Sequence, residues 1–403
     1  MNGGVKMRLL NLPIVAKIKS EPPLAAAFLT ISVFSLPVVI SILTKGYILL
    51  PGGYTYTLTV NPVFGLAAIL LNLLLFYIFS VSPIIKLRFH SLITPHYVRK
   101  LVILCYIGVS WLCFYVFNAK LNFISSLISD PAATMLSVGG DMVEQKLLAS
   151  FFFGMSGCIG YALLDKRDGI MLKIAVYATM FTIVLFYFFI GRREISLMTL
   201  CFFLLTRKNK ISRAYLIVVG SITGIILVSI LALRLSLQDN DQAMFASDSE
   251  ELSPMAYSAY IIQHNTPDIP GSFIGVTPVR MHILKTTIAS AYVQNQTGWK
   301  DDANNPVLGI GGISYMYGLV VPVIMLLVLG MIIRSVTNEF RQKKTPVLKL
   351  LVIYMTFKTF NLFRNGEFPL TSIDIVLFLV LCLPALFLTF GDGDHNSVVN
   401  DER

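Results

Sequence analysis

Charge is scarce in this sequence. Only 13% of its 403 residues are Asp, Glu, Lys or Arg, while 55% are hydrophobic. A soluble domain carries roughly 25% charged residues, so a water-soluble globule is excluded. Cysteine is sparse as well. The five cysteines (Cys105, Cys113, Cys158, Cys201, Cys382) all fall inside apolar runs. No pair sits in a polar loop and no spacing matches a metal module, which leaves small packing residues. HExxH, P-loop, GxGxxG and Ser-His-Asp patterns are missing. The DND at 239–241 has the form of a metal-type DxD, but its Asp- and Ser-rich surroundings read as a solvated loop. No internal repeat or low-complexity tract stands out.

What the sequence does have is long apolar runs, several reaching the ~20 residues that a helix needs to cross a bilayer. Reading them between polar breaks predicts about ten spans: 24–43, 60–82, 101–118, 147–164, 170–190, 195–206, 214–233, 307–333, 347–363 and 370–390. The first run is long for a signal-peptide core and has no small-residue cleavage site after it, so a retained span is expected. The expected fold class is an all-α polytopic membrane protein. Residues 1–390 form one integral membrane domain in this reading, and the polar segment 391–403 is a cytoplasmic tail.

The net charge of +10 follows topology. With a cytoplasmic N-terminus, the basic clusters at 6–19, 86–100, 166–173, 207–213 and 334–349 all fall inside, as the positive-inside rule requires. Acidic residues favour the outside. The basic excess then faces an anionic leaflet and gives no ground for a nucleic-acid partner. One outer segment, about 234–306, far exceeds the others, and loops that long are usually functional. Within it, Ser253-Pro254 and Thr277-Pro278 each have the form of a helix start. They predict short helices over 253–264 and 277–293. On the second, Met281, Leu284 and Ile288 would share a face against the membrane surface or the span bundle.

A few cations break the charge rule. In FFIGRREISL (188–197), Arg192 and Arg193 stand beside Glu194. The run that follows, 195–206, makes only about 18 Å of helix against a ~30 Å hydrocarbon core. The two guanidinium groups are therefore expected at or below the outer interface. At such depth ionisable groups mark functional sites; the alternative is helix-end arginines that snorkel, with Glu194 as ion-pair partner. Arg280 and Lys285 on the loop helix, Arg364 after the ninth span and Lys358 two turns before it are further outward cations. A cavity lined by arginines suits a diphosphate or another polyanion, because the guanidinium keeps its charge and offers a fixed fork of donors. Outward acids and bases are His264, His282, Glu194, Asp268, Asp301, Asp302 and Glu367. Glu194 and Glu367 each follow an arginine closely and would orient it or act as a base.

Four stretches resemble the bacterial O-antigen or oligosaccharide repeat-unit polymerases (Wzy type). FFIGRREISL resembles a Gly-x-Arg after a span, which maps onto Gly191 and Arg193. TPVRMH resembles a Pro-x-Arg of the external loop, giving Arg280. NNPVLGIGGISYMYGLVVPVIMLLVLG (304–330), with Tyr315, resembles the stretch that closes that loop. LFRNGEF resembles an Arg-x-Gly before the last span, giving Arg364. The doubled arginine departs from the pattern and leaves Arg192 or Arg193 as the matching residue.

The resemblance implies a GT-C-like architecture in the bacterial inner membrane, with cytoplasmic termini and a large periplasmic loop. It implies a glycosyltransferase of lipopolysaccharide biosynthesis that moves a growing glycan from undecaprenyl diphosphate onto an incoming lipid-linked repeat unit. Arg193, Arg280 and Arg364 would clamp the diphosphates, with His282 or an outward carboxylate such as Glu194 open as the group that deprotonates the acceptor. Arg192, Lys285, Lys358, Glu367 and Tyr315 would contact substrate. Metal-dependent relatives of this architecture place acids in the first external loop. Segment 44–59 has none, so chemistry without metal or cofactor is expected. The expected partners are the undecaprenyl-diphosphate-linked oligosaccharide, the lipid bilayer and a chain-length regulator protein. An O-antigen ligase-type transferase shares the architecture. A lipid-linked oligosaccharide flippase or other transporter is the rival from another class; it is disfavoured by the missing repeat and the one-sided charges.

Overall fold

The computed structural model describes residues 21–49, 59–86, 96–121, 144–165, 168–189, 198–200, 202–203, 254–264, 275–276, 281–282, 309–316, 318–343, 345–366 and 372–389. In chain order these form α1 (Pro22–Lys45), β1 (Ile48–Leu49), β2 (Thr59–Val60), α2 (Pro62–Val81), α3 (His96–Leu121), α4 (Glu144–Leu163) and α5 (Ile170–Phe189). Then follow α6 (Pro254–Gln263), β3 (Gly275–Val276), β4 (Met281–His282), α7 (Ile310–Met316), α8 (Val320–Lys343) and α9 (Pro346–Asn365). The last helix is α10 (Ser372–Leu377), a π-helical turn (Phe378–Cys382) and α11 (Leu383–Thr389).

Proline opens α1, α2, α6 and α9. A first-turn N–H has no partner within its helix, so proline loses nothing there. The preceding polar residue completes the start. Asn61 Oδ1 accepts from the Val63 N–H at 3.0 Å, and Thr345 Oγ1 accepts from the Leu348 N–H at 3.4 Å. Among the described residues, six helices are long and apolar enough to cross a membrane: α1, α2, α3 over Tyr97–Asn118, α5 over Ile170–Tyr187, α8 and α9. Shorter apolar helices cover Ala149–Leu163 and Asp374–Phe387. The chain is a helical, multi-pass membrane protein with two small antiparallel strand pairs, β1 with β2 and β3 with β4. Leu29, Leu36, Leu43, Leu66, Leu70 and Met171 are exposed, as faces turned toward lipid chains should be.

Most predicted boundaries agree to a few residues, but three expectations change. The span expected over 307–333 is broken in two. Gly318 adopts φ 63°, a conformation that a helix cannot contain, and the membrane-length helix runs instead over Val320–Lys343. Arg334, expected in an inner loop, therefore lies inside α8. The helix expected over 277–293 is contradicted at Met281 and His282, which form a strand paired with Gly275–Val276. Pro278 serves a turn as readily as a helix start, and it biases Thr277 toward extended backbone. The last span is interrupted by the π-helical turn. Of the run 195–206, residues 198–200 and 202–203 are described and helical; the run 214–233 lies outside the described residues.

Internal contacts divide the chain into two compact units. The first is Met1–His90 with Asp248–Phe378; the second is Ser91–Ser247 with Leu379–Arg403.

In the first unit the short helices α6 and α7 are wedged among α1, α2, α8 and α9. Pro254 to Ile261 of α6 are all buried. The glycine pair of α7 explains the close approach. The Gly311 N–H donates to Asn72 Oδ1 at 3.2 Å, and the Gly312 N–H donates to Ser258 Oγ at 3.1 Å. Thus two donors that every helix start leaves open are met by side chains of α2 and α6. A Cβ at Gly311 would fall onto the Asn72 amide, and one at Gly312 would stand 2.9 Å from Ser258 Oγ. At another end of this unit Arg334 Nε donates to Glu21 Oε2 at 3.0 Å, and Arg334 Nη1 donates to the Ser82 carbonyl. Both charged residues are buried, so this contact ties α8 to the start of α1 and the end of α2.

The second unit packs differently. Phe114, Phe117, Phe153, Phe186 and Tyr187 stack edge-to-face or tilted across α3, α4 and α5. Gly154 and Gly157 let α4 approach α5; a Cβ at Gly157 would meet Ile183, with Thr179 at 3.2 Å and Ser110 at 3.3 Å. Small residues at such contacts allow membrane helices to pack closely. The ties between helices are mostly neutral. Ser110 Oγ donates to the Phe153 carbonyl at 2.9 Å, Trp111 Nε1 donates to Thr179 Oγ1 at 3.0 Å, and the Tyr106 hydroxyl donates to the Leu381 carbonyl at 2.6 Å. A charged contact lies at the α4–α5 connection, where Arg99 Nη2 donates to Asp165 Oδ2 at 3.1 Å and stands 3.8 Å from Oδ1 of the buried Asp168.

Candidate functional site

Arg364 is the sequence-predicted arginine that the structure describes. It sits in the last turn of α9, and the Arg-x-Gly pattern has a local cause. Gly366 caps the helix in the left-handed region, φ 71°, with its N–H donating to the Leu362 carbonyl at 2.9 Å. Only glycine takes that conformation without strain. A cation in the last turn also faces the negative end of the helix dipole. The Arg364 Cζ lies 5.9 Å from the centroid of the Phe34 ring, within cation–π range.

That contact fixes its depth. Phe34 lies near the middle of the 24-residue α1, about 18 Å from its start at 1.5 Å per residue. Arg364 is therefore level with the midsection of a membrane-length helix, not with its end. The neighbouring α6–α7 junction is also deep. The Gly309 N–H donates to the Pro254 carbonyl at 3.4 Å, and a Cβ on Gly309 would stand 3.7 Å from the Phe363 carbonyl. Asn72, which receives Gly311, lies near the middle of the 20-residue α2. The stretches 309–312 and 362–366 are thus neighbours in the first unit.

Lys358 is committed to a partner. Its Nζ lies 2.9 Å from Asp374 Oδ1, and the Tyr354 hydroxyl donates to the same oxygen. The expected substrate role for Lys358 must therefore share the side chain with an ion pair. Tyr315 is half-buried on α7 and packs on the core of the first unit. Its carbonyl accepts from the Gly318 N–H at 3.3 Å. His282 is placed by its backbone on β4; its side chain lies outside the described residues. Arg192, Arg193, Glu194, Arg280, Lys285 and Glu367 lie outside them as well.

The sequence reading missed Asp374, Asn72 and Glu21. Each was a single polar residue in or beside an apolar run. A charge inside a run of membrane length signals a partner elsewhere, and that signal was available for Asp374. Asn72 and Glu21 had none, because their partners, Gly311 and Arg334, are remote in sequence. Among the described residues, no three His, Cys, Asp or Glu side chains gather as a metal ion would require. Compared with known proteins, the chain matches no family model, no curated protein and no solved structure.

Proposed function

We propose that this chain is a glycosyltransferase of the O-antigen or oligosaccharide repeat-unit polymerase type. It would sit in the bacterial inner membrane with cytoplasmic termini and with its long loop in the periplasm. The observation that carries the reading is Arg364, a cation on a capped helix end about halfway along α1. It adjoins the stretch that closes the long loop. Ionisable groups at such depth mark substrate sites by default.

The reaction asks for what an arginine there supplies. An acceptor hydroxyl oxygen bonds to the anomeric carbon of the growing glycan. The bond from that carbon to undecaprenyl diphosphate breaks, and its electron pair leaves on the diphosphate. The hydroxyl proton passes to a base. Charge grows on the diphosphate as the bond breaks, and preorganised cations stabilise that charge at the transition state. Arg364 would hold diphosphate oxygens through its fork of donors, with Arg280 and Arg193, or Arg192, completing the clamp. His282, Glu194 or Glu367 would take the proton, and Lys285 and Tyr315 would contact the substrate. This chemistry calls for no metal or cofactor.

The test is complementation of a gene deletion, read as a polysaccharide ladder. Arg364→Ala, Arg280→Ala and Arg193→Ala should each collapse the ladder to single-unit-capped lipid. A full-length ladder from all three variants would overturn the clamp. One feature favours a second reading. α6 and α7 are short helices that meet halfway along the bundle, as broken helices do in transporters. For a lipid-linked oligosaccharide flippase, the deletion strain would carry no capped lipid at all and no polymer. Uncapped core with accumulated polymer would instead indicate an O-antigen ligase-type transferase.

A further inference from the structure

We propose that Lys358, Asp374 and Tyr354 form a charged clasp that holds α9 against the start of α10 and so positions Arg364 in the last turn of α9. The positioning role rests on the function proposed above; the clasp itself does not. Three observations carry it. Lys358 and Tyr354 are one turn apart on α9, with Lys358 Nζ 5.4 Å from the Tyr354 ring centroid. Both converge on one carboxylate oxygen of Asp374, near the start of α10. Asp374 is buried and the Lys358 side chain largely so, at 7% and 23% exposure.

The chain between the two charges, 359–373, holds Arg364 and Glu367. An ion pair between Lys358 and Asp374 ties the C-terminal part of α9 to the start of α10. Lys358 lies about 9 Å before Arg364 along α9, at 1.5 Å per residue. Both side chains are largely shielded from solvent, and removing either charge would leave the other buried without its partner. The pair therefore favours one placement of the end of α9 against α10. Arg364 then reaches its diphosphate from a prearranged place, which is how supporting residues contribute to catalysis.

Hydrogen–deuterium exchange of the full chain in lipid nanodiscs tests the clasp without any assay of activity. In Asp374→Asn and Lys358→Met, peptides from 359–373 should exchange at least tenfold faster, while peptides from α2 and α4 stay as in the wild type. Tyr354→Phe should give a smaller change. The charge exchange Lys358→Asp with Asp374→Lys, and the conservative Lys358→Arg, should restore protection. Wild-type exchange in the two neutralised variants would overturn the clasp, and so would faster exchange spread evenly over α2 and 359–373. The ladder assay then reads the positioning role. The neutralised variants should lose long chains and the charge exchange should regain them. A full ladder from the neutralised variants would overturn positioning while leaving the clasp intact. Arg364→Ala with an unchanged ladder would instead sink the function it rests on.

Discussion

The two units are built on different principles from similar material. Both are bundles of apolar helices with some rings and some buried charge, yet in the first ion pairs join helices, while in the second rings and glycines do most of the joining. In the first, the largely buried pairs Glu21–Arg334 and Lys358–Asp374 join helices near the starts of α1 and α10, and the short helix α7 is held by side chains of α2 and α6. In the second, phenylalanine clusters and glycine contacts do the joining, and the charged contact of Arg99 lies at a connection between helices. Lipid chains are as apolar as leucine, so burial alone gives membrane helices little reason to associate. Close packing and polar ties are the available forces. The second unit relies on packing, which tolerates small adjustments. The first relies on paired charges, which tolerate none, and it is also the unit that carries Arg364.

That contrast can be broken from its strongest side. Arg334→Met leaves Glu21 buried without its cation, which should cost about 3–5 kcal/mol, the usual result of removing one member of a buried pair. Thermal unfolding in detergent would show it. The double variant Glu21→Leu with Arg334→Met should recover much of the loss, because no lone charge remains. A double variant as unstable as the single one would mean that the charges are not what the first unit depends on.

The second unit should respond to volume instead. Gly157→Leu presses against Ile183, Thr179 and Ser110 and should cost about 1–3 kcal/mol, as overpacking does. No second substitution of charge would rescue it. Trp111→Phe keeps an aromatic side chain but removes the bond to Thr179; a loss of about 0.5–1.5 kcal/mol is expected from that bond. Smallest of all should be Leu70→Ala. Leu70 is 66% exposed, and substitutions at exposed positions usually change stability by no more than ~0.5 kcal/mol. A larger loss there would place Leu70 against protein and redraw the lipid-facing surface of the first unit.

The sequence made the helices legible because their cause is local. A run of apolar residues preceded by Asn61-Pro62, Ser253-Pro254 or Thr345-Pro346 contains its own start signal, and α2, α6 and α9 begin where those signals stand. The expectation failed where two local signals competed. Thr277-Pro278 fits a turn or a helix, and pairing with Gly275–Val276 gave Met281–His282 to a strand. The run 307–333 looked continuous because hydropathy does not register a backbone angle. Gly318 decided that it was two helices.

The candidate site divides along the same line. Arg364 could be singled out from its charge beside a span, and Gly366 from its place after the last helical turn. Its depth could not, because depth depends on Phe34, a residue of a helix at the other end of the chain. Nor could the partner of Lys358 be read. Composition and periodicity alone determined a helical, multi-pass membrane protein, since apolar length is a property of each segment by itself. The tertiary structure decided which charges meet, which glycines touch and how deep an arginine lies, because a buried charge is stable only beside a partner and sequence distance says nothing of where that partner will be.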